Sequence, residues 1–415
     1  MKVRILKGTE QIGGCIAEIS TDKTKIIIDY GENLDGKKQI DIPALTDDNC
    51  EDKYDAVFIT HSHGDHIGNI GKIRKDINIY VEEKNAVIND VLCDFQKKYD
   101  SKIRANKNAN IKFFEFEKAI EIGDIKITPY IVDHSSYNSS MFLIEGNGKK
   151  ILHTGDYRNH GRKGKIFKSV LNKIGPVDLL ITEGTTLTRK NDKPFKKEVK
   201  LMEDLKDVID KYDQVYFMCS STNIDRIVSL YKSSINTHMF IEDLCMNSVT
   251  KEIPNIPNSN TFSNVYTYMT EKYRGIKEPY ERYRKYTKKV IEEIPFDKKF
   301  VMSVKTSMKP ELEKNKNKIK KACLIYSMWD GYISEDYKEP STREFVEFLE
   351  ALNIDFYDIH TSGHADGKAM KQVIDILKPK QTIMIHTESK DIDKAREIFG
   401  NSVIEINDNE YIEVN

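Results

Sequence analysis

The run Thr60-His61-Ser62-His63-Gly64-Asp65-His66 directly follows the apolar stretch AVFIT (56–60). Its three imidazoles and its carboxylate each need a polar partner, so the loop would be costly to bury as ordinary core. Alternate residues of an extended segment point the same way, which lets His61 and His63 bind one cation. The tight turn allowed by Gly64 brings Asp65 and His66 round to a second cation. Imidazole and carboxylate ligands together favour zinc, with manganese or iron as alternatives.

Length and composition indicate a globular protein of more than one module. The chain has 415 residues, and a typical domain has roughly 100–200. Hydrophobic residues make up 39% and charged residues 32%, which excludes disorder as the main state. No apolar run reaches the roughly 18 residues of a membrane span, and the N-terminus lacks a secretory signal pattern. Six scattered cysteines without a CxxC pair predict reduced thiols in a cytoplasmic protein.

Short apolar runs bounded by turn residues predict a strand-rich α/β unit at the start of the chain. Several runs end in His, Asp or Glu, and α/β enzymes assemble their sites at the carboxyl ends of buried strands. Strands and helices alternate again from residue 352, so the middle is interpreted as an insertion. Residues 189–344 hold 30 Lys and Arg against 24 Asp and Glu, which fits either a face for a polyanion or ordinary Lys-rich surface. The runs are VRIL (3–6), CIAEI (15–19), KIIIDYG (25–31), AVFIT (56–60), INIYV (77–81), KITPYIV (126–132), SMFLIEG (140–146), KILHTGD (150–156) and VDLLITEG (177–184).

The HxHxDH pattern at 61–66 closely resembles the metallo-β-lactamase superfamily, whose fold is an αββα sandwich with a two-metal site along one edge. The resemblance implies that Asp29 supports the metal loop, that His134 is the third histidine of the first metal and that Asp156 bridges both metals. Taken alone, Asp29 would be a turn residue and His134 a surface side chain; the loop makes the functional interpretation the better one. His153 is expected to be a buried, hydrogen-bonded neighbour of the site and not a ligand.

Three later sites resemble the β-CASP nucleases, which include ribonuclease J and the endonuclease of messenger-RNA 3′-end processing. Glu183 in EGTTL matches the acidic motif of that group, His364 in SGHAD its first histidine motif and His386 in IHTES its second. The family's assignment makes His386 the third ligand of the second metal, and Glu183 and His364 catalytic or site-organising residues. A histidine in the last motif resembles the RNA-acting members. Thr387 departs from the glycine that usually follows it.

The resemblance predicts an α/β fold in which an αββα metallo-β-lactamase sandwich carries an inserted β-CASP-like α/β domain. The sandwich would comprise residues 1–190 and 349–415, and the insertion residues 191–348. The segment CSSTNIDRIVSLY (219–231) is similar to the strand–helix element that opens the family's inserted domain. Ser220, Ser221 and Arg226 are therefore predicted to contact substrate; the alternative is a helix-capping serine pair and a surface arginine.

These residues predict a two-metal phosphodiester hydrolase, a ribonuclease that cleaves single-stranded RNA with metal-activated water. The predicted cofactors are two Zn²⁺ ions, with Mn²⁺ or Fe as alternatives; no membrane partner is expected, and a homodimer is left open. The first alternative is a metallo-hydrolase of a small-molecule ester or phosphodiester with a repurposed inserted domain, suggested by the net charge of −1 and the unusual run YSMWDGY (326–332). The second is a non-catalytic nucleic-acid-binding scaffold, disfavoured because every ligand position is filled. The predicted catalytic residues are Asp65, Asp156, Glu183 and His364.

Overall fold

The structure, a computed structural model, describes residues 1–34, 39–97, 110–187, 194–274, 280–388 and 392–415. Each of the nine apolar runs named above overlaps one of its strands. In the run SVIEI (402–406), Val403 makes an isolated bridge to Thr382. The strands are β1 Lys2–Lys7, β2 Ile16–Ser20, β3 Lys25–Ile28, β4 Ala56–Phe58, β5 Asn78–Val81, β6 Asn110–Phe113, β7 Ile120–Ile122, β8 Ile125–Ile131, β9 Ser140–Gly146, β10 Lys149–His153, β11 Leu179–Glu183, β12 Gln214–Met218, β13 Met239–Asp243, β14 Val265–Tyr268, β15 Val290–Ile291, β16 Phe300–Ser303, β17 Ala322–Tyr326, β18 Asp355–Asp358, β19 Gln381–Ile385 and β20 Tyr411–Glu413.

The helices connect these strands and cover the sheets. They are α1 Pro43–Thr46, α2 Gly64–Ile67, α3 Glu83–Gln96, α4 Gly164–Ile174, α5 Glu198–Ile209, α6 Ile224–Ser234, α7 Leu244–Thr250, α8 Glu271–Arg274, α9 Tyr280–Lys285, α10 Lys309–Lys314, α11 Ser341–Ala351, α12 Gly367–Leu377 and α13 Ile392–Phe399. None of the helices among the described residues is both long enough and apolar enough to span a membrane. All six cysteines are free thiols.

The first compact unit, residues 1–195 and 363–415, contains two sheets. One has the strand order β20-β1-β2-β3-β4-β5-β6, antiparallel up to β3 and parallel from there on. The other has the order β19-β11-β10-β9-β8-β7, in which β19, β11 and β10 are parallel neighbours. Parallel neighbours end at the same edge of a sheet, so residues that follow these strands come close together.

Side-chain alternation along the strands gives this unit its layers, because successive residues of a strand face opposite sides of the sheet. Ile26 and Ile28 of one sheet share a buried cluster with Ile144 and Ile181 of the other, which is the core between the sheets. The outer face of the second sheet packs on α4, α12 and α13. The outer face of the first packs on α1, α2 and α3. The predicted αββα sandwich is thus confirmed.

The second unit, residues 196–362, is an α/β domain around one sheet in the order β15-β14-β13-β16-β12-β17-β18, with every pair parallel. Phe345 and Leu349 of α11 pack with Tyr216 and Leu324 on one face of the sheet. Strand β18 pairs with β17 here, although it lies beyond the boundary predicted at residue 348. The other predicted boundary, between 190 and 191, falls outside the described residues.

A buried carboxyl group anchors the interior of this second unit. Glu242, at the end of β13, is fully buried, and its carboxyl accepts hydrogen bonds from the side chain of Asn247 at 2.6 Å, the backbone N–H of Ser259 at 2.8 Å and the hydroxyl of Thr250 at 3.2 Å. Burial raises the pKa of Glu242 to about 8 in spite of these bonds, because a carboxylate is costly to desolvate.

Glu242 should therefore make the unfolding free energy fall with increasing pH. The folded chain keeps this proton up to about pH 8, whereas the unfolded chain releases it near the ordinary glutamate pKa of 4.5. Between these values the folded state binds more protons, so rising pH removes stability, by at most about 1.4 kcal/mol per pH unit. Urea unfolding at several pH values from 6 to 8 should show a flatter profile for Glu242→Gln than for wild type. Glu293→Gln, at an exposed position, is the control; parallel profiles for all three proteins would contradict the prediction.

Candidate metal centre

Three histidines from two loops bring their ring nitrogens together at the carboxyl edge of the first unit. His61 and His63 follow β4, and His134 follows β8. Nε2 of His61 lies 3.1 Å from Nδ1 of His63, and Nε2 of His134 lies 3.2 Å from the same atom. The structure therefore brings His134, 71 residues after His63, together with His61 and His63 in one group that could hold a metal ion.

A second ligand group forms beside the first from the short helix α2 and the end of β19. Asp65 and His66 occupy consecutive positions of α2, and His386 directly follows β19. Oδ2 of Asp65 lies 3.2 Å from Nε2 of His386 and 3.7 Å from Nε2 of His66. Ligand atoms of all three residues lie within 4.8 Å of one another.

Asp156 stands between the two groups. Its Oδ2 lies 3.2 Å from Nε2 of His66 and 3.8 Å from the ring nitrogens of His61, His134 and His386. The carboxylate is 3% exposed. Its place between the two groups is compatible with the bridging role, which stays a prediction.

The outer ring nitrogens are held by hydrogen bonds that select which nitrogen faces inward. Nδ1 of His66 bonds to Oδ2 of Asp29 at 2.7 Å, and Nδ1 of His134 bonds to the carbonyl oxygen of Gly363 at 2.6 Å. Nδ1 of His61 lies 2.9 Å from the hydroxyl of Thr60, which in turn donates to Asp29 at 2.7 Å. Since these Nδ1 atoms must carry the protons, the inward Nε2 atoms present lone pairs.

Thr185 supplies the equivalent partner for His386, a role that the sequence analysis missed. The hydroxyl of Thr185 lies 2.8 Å from Nδ1 of His386 and donates to the carbonyl oxygen of the same residue at 3.2 Å. The available signal was its place two residues after Glu183, at the end of a buried strand.

The aspartates and the neutral histidines of the cluster favour a positive charge at its centre. Burial lowers the pKa of His63 to about 4 and the pKa values of His61 and His134 well below the ordinary range, so these rings are neutral. Burial opposes a charge on His66 too, but Asp156, Asp65 and Asp29 raise its pKa well above the usual value. Nε2 of His66 is buried 3.2 Å from Oδ2 of Asp156. Three carboxylates around one buried imidazole form a site that attracts positive charge, which either a proton on His66 or a metal ion can supply.

The donor set also has the spacing of a zinc site. Nitrogens bound to one tetrahedral zinc at about 2.0–2.1 Å lie about 3.3 Å apart, close to the 3.1 and 3.2 Å that separate Nδ1 of His63 from its two neighbours. Imidazole and carboxylate are ligands that zinc, manganese and iron share. The residues present therefore fit a metal ion.

Backbone strain accompanies the site. Asp29 and His386 are non-glycine residues with φ of 62° and 54°, in the left-handed region that costs energy for residues with a side chain. Gly31 is required for a different reason, the close approach of two backbone segments: a Cβ there would lie 1.7 Å from the carbonyl oxygen of Asp65. The chain thus approaches α2 more closely than any other residue would allow.

Glu183 and His364 form a separate pair next to Asp156. Oε2 of Glu183 lies 3.1 Å from Nδ1 of His364, and Oε1 accepts the backbone N–H groups of Tyr157 at 3.0 Å and Ala365 at 3.2 Å. Nδ1 of His364 lies 3.7 Å from Oδ2 of Asp156. His364 is 21% exposed, whereas Glu183 is 1% exposed. The pair places a solvent-accessible imidazole, oriented by a buried carboxylate, beside the ligand cluster.

His153 lies next to this cluster as predicted. It is buried, its Nδ1 accepts the backbone N–H of Gly155 at 3.2 Å, and burial lowers its pKa to about 4. It belongs to none of the ligand groups found among the described residues. His153 therefore supports the turn that leads to Asp156.

Two family models match the chain. Residues 24–205 match a beta-lactamase superfamily domain, and residues 351–404 match a Zn-dependent metallo-hydrolase RNA specificity domain. Both matched ranges carry residues of the site described above. These matches support the resemblance of the chain to the metallo-β-lactamase superfamily and to its β-CASP branch.

Curated relatives agree with this resemblance, and a solved structure shares the fold. An RNase J-like protein of Methanocaldococcus jannaschii is 30% identical over 50% of this chain and 48% of its own length. Ribonuclease J of Helicobacter pylori is 27% identical over 38% of this chain and 23% of its own. The matched stretches span about half or less of these relatives. A protein of unknown function from Enterococcus faecalis V583 has the same fold, with a TM-score of 0.74 at 20% identity over 99% of both chains.

The second unit, residues 196–362, is called the β-CASP unit below. Its Arg226 is buried inside this unit and does not contact substrate as predicted. Its side chain is 0% exposed, and its guanidinium bonds to both oxygens of Glu198 at 3.0 and 3.2 Å and to the carbonyl oxygen of Ile359 at 3.1 Å. The prediction for Arg226 is corrected accordingly, because a guanidinium with these partners ties α6 to α5 and has no face toward solvent. Ser220 is exposed and Ser221 buried at the carboxyl end of β12, where their contact with substrate stays a prediction.

Arg226→Met should destabilise the protein by about 3–5 kcal/mol, because it leaves the buried Glu198 carboxylate without its cation. Urea unfolding measures the loss. The double variant Glu198→Gln/Arg226→Met should recover part of it, since no unpaired charge remains. A single variant with wild-type stability but weakened substrate binding would restore the original prediction.

Proposed function

We propose that the chain is a two-metal phosphodiester hydrolase, a ribonuclease that cleaves single-stranded RNA. The observation that carries the proposal is the His364–Glu183 pair, 3.1 Å apart, next to Asp156 and at the accessible side of a buried ligand cluster. A metal-storage or structural site would have no use for an exposed, oriented imidazole at that place.

The two ligand groups would hold two cations, one on His61, His63 and His134 and the other on Asp65, His66 and His386, with Asp156 shared. When bound, a pair of Zn²⁺ ions, or Mn²⁺ or Fe in their place, lowers the pKa of a water molecule and neutralises charge on phosphate oxygens. The chain's own part is to fix these ligands through Asp29, Thr60, Thr185 and the carbonyl oxygen of Gly363.

The proposed role of His364 is to give a proton to the leaving sugar oxygen. Glu183 accepts from Nδ1 of His364, which leaves Nε2 as the nitrogen that can carry a proton to the substrate. The same carboxylate binds the backbone N–H groups of Tyr157 and Ala365, so it fixes the His364 loop relative to the Asp156 loop. Glu183 is thus the positioning residue of the proposed acid.

Support for RNA as the substrate comes from resemblance. The match over residues 351–404 is to an RNA specificity domain, and the M. jannaschii and H. pylori relatives are named as ribonucleases. The alternative, a small-molecule ester or phosphodiester, is favoured by the partly exposed edge-to-face cluster of Trp329, Tyr332 and Tyr337, at and just after the unusual run YSMWDGY (326–332).

The substrate proposal is tested with 5′-labelled single-stranded RNAs bearing a monophosphate, a triphosphate or a hydroxyl. Wild type should cleave them in the presence of Zn²⁺ or Mn²⁺ and lose cleavage with a chelator. His364→Ala should slow cleavage roughly 10²–10⁴-fold. Glu183→Gln should slow it less, and Lys118→Ala, at a solvent-exposed position, should leave it unchanged.

Single-stranded DNA and duplex RNA are the substrate controls, and they distinguish a ribonuclease from a general nuclease. Equal cleavage by wild type and His364→Ala would contradict the assigned role. Hydrolysis of small phosphodiesters or lactones without any RNA cleavage would favour the alternative substrate class.

The two-cation proposal has its own measurement, elemental analysis of purified protein. Wild type should hold about two metal ions per chain, and His63→Ala or His386→Ala should each reduce the content to about one because each removes a ligand of one group. His238→Gln, in the β-CASP unit and bonded to the carbonyl oxygen of Tyr212, is the control. One metal ion in wild type, or no loss in either variant, would rule out the ligand assignment.

A further inference from the structure

A buried ion pair links the two loops that carry His134 and Asp156. Nε of Arg158 lies 3.4 Å from Oδ1 of Asp133, and the two side chains are 0% and 1% exposed. The backbone N–H of Arg158 also donates to the carbonyl oxygen of Asp133 at 2.7 Å, which makes an isolated antiparallel bridge. Asp133 directly precedes His134, and Arg158 comes two residues after Asp156.

The turn after Arg158 closes over this pair without room for a side chain. A Cβ on Gly161 would lie 2.4 Å from Oδ1 of Asp133 and 2.5 Å from Nε of Arg158. Real Cβ atoms do not approach other atoms so closely, so only glycine fits. The backbone itself therefore covers the pair and keeps it at a fixed distance from the ligand loops.

Stability alone does not explain why two charges are buried here. Desolvation offsets most of the attraction in a buried ion pair, and apolar residues of similar volume often serve as well or better. A buried ion pair also fixes the geometry of its two partners, because separating them would leave each charge buried and uncompensated. The loops it joins are the ones whose ligand atoms, Nε2 of His134 and Oδ2 of Asp156, lie 3.8 Å apart.

We propose that Asp133 and Arg158 are positioning residues whose ion pair sets the separation of His134 and Asp156 and thereby the affinity of the centre for its metal. The inference rests on the proposed metal site and adds to it two residues that touch no metal. It assigns Gly161 a supporting role, since a larger residue would push the pair apart without changing any charge.

The test separates metal affinity from folding. Zn²⁺ affinity is measured by competition with a chromogenic chelator, and stability by urea unfolding of the metal-free protein, because bound metal would itself add stability. Asp133→Asn and Arg158→Met should each lose both stability and affinity. The double variant Asp133→Asn/Arg158→Met carries no unpaired charge, so it should recover stability yet still bind Zn²⁺ roughly 10–100-fold more weakly than wild type.

A matched control comes from another buried ion pair, Glu198 and Arg226. Glu198→Gln/Arg226→Met removes buried charges in the β-CASP unit and should leave Zn²⁺ affinity unchanged. Gly161→Ala tests the geometry with all charges kept, and it should also weaken Zn²⁺ binding; it serves as the deciding variant if the double variant does not fold.

Two results would overturn the inference: a stable double variant with wild-type Zn²⁺ affinity, or a folded Gly161→Ala protein with wild-type affinity. Failure of the proposed metal site looks different, because wild type itself would then bind no metal and compete for none of the chelated Zn²⁺.

Discussion

Ring nitrogens that face one another at hydrogen-bond distance repel unless a proton or a cation lies between them, and this constraint governs the site of the first unit. Nδ1 of His63 meets the ring nitrogens of both His61 and His134 in this way. Rotation of the rings would relieve this contact, but Nδ1 of His61 is bonded to the hydroxyl of Thr60. Likewise, Nδ1 of His134 is bonded to the carbonyl oxygen of Gly363. The outer partners therefore hold three ring nitrogens in a position where one proton on Nδ1 of His63 can bridge only one of the two contacts, whereas a cation can bind all three.

Parallel strands supply the precision that such a cluster needs. Asp156, Glu183 and His386 follow or end β10, β11 and β19, three parallel neighbours of one sheet. In the other sheet, Asp29 and Thr60 follow the parallel pair β3 and β4. The isoleucines between the two sheets fix how these edges face each other, so the apolar pattern of the core indirectly sets distances between polar atoms more than 200 residues apart in the chain.

The sequence predicts those parts of the arrangement that depend on residue types close together in the chain. Three histidines and an aspartate on one loop have few purely structural uses, so the run at 61–66 alone predicts a metal-binding loop. His386 needed the family resemblance, since one histidine at the end of a strand has many explanations. Arg226 was misjudged because an arginine on a helix looks the same whether it faces solvent or a glutamate 28 residues earlier. The sheet that receives β18 is likewise a matter of tertiary pairing, which its four residues do not encode.

The loop at 363–364 joins two functions that the site otherwise keeps apart. The carbonyl oxygen of Gly363 accepts a hydrogen bond from His134, and the next residue, His364, is hydrogen-bonded to Glu183. Any shift of His134 is therefore passed through one peptide unit to the proposed acid. In the proposed mechanism this connection would couple metal binding to proton delivery, because a displaced His134 would also displace His364.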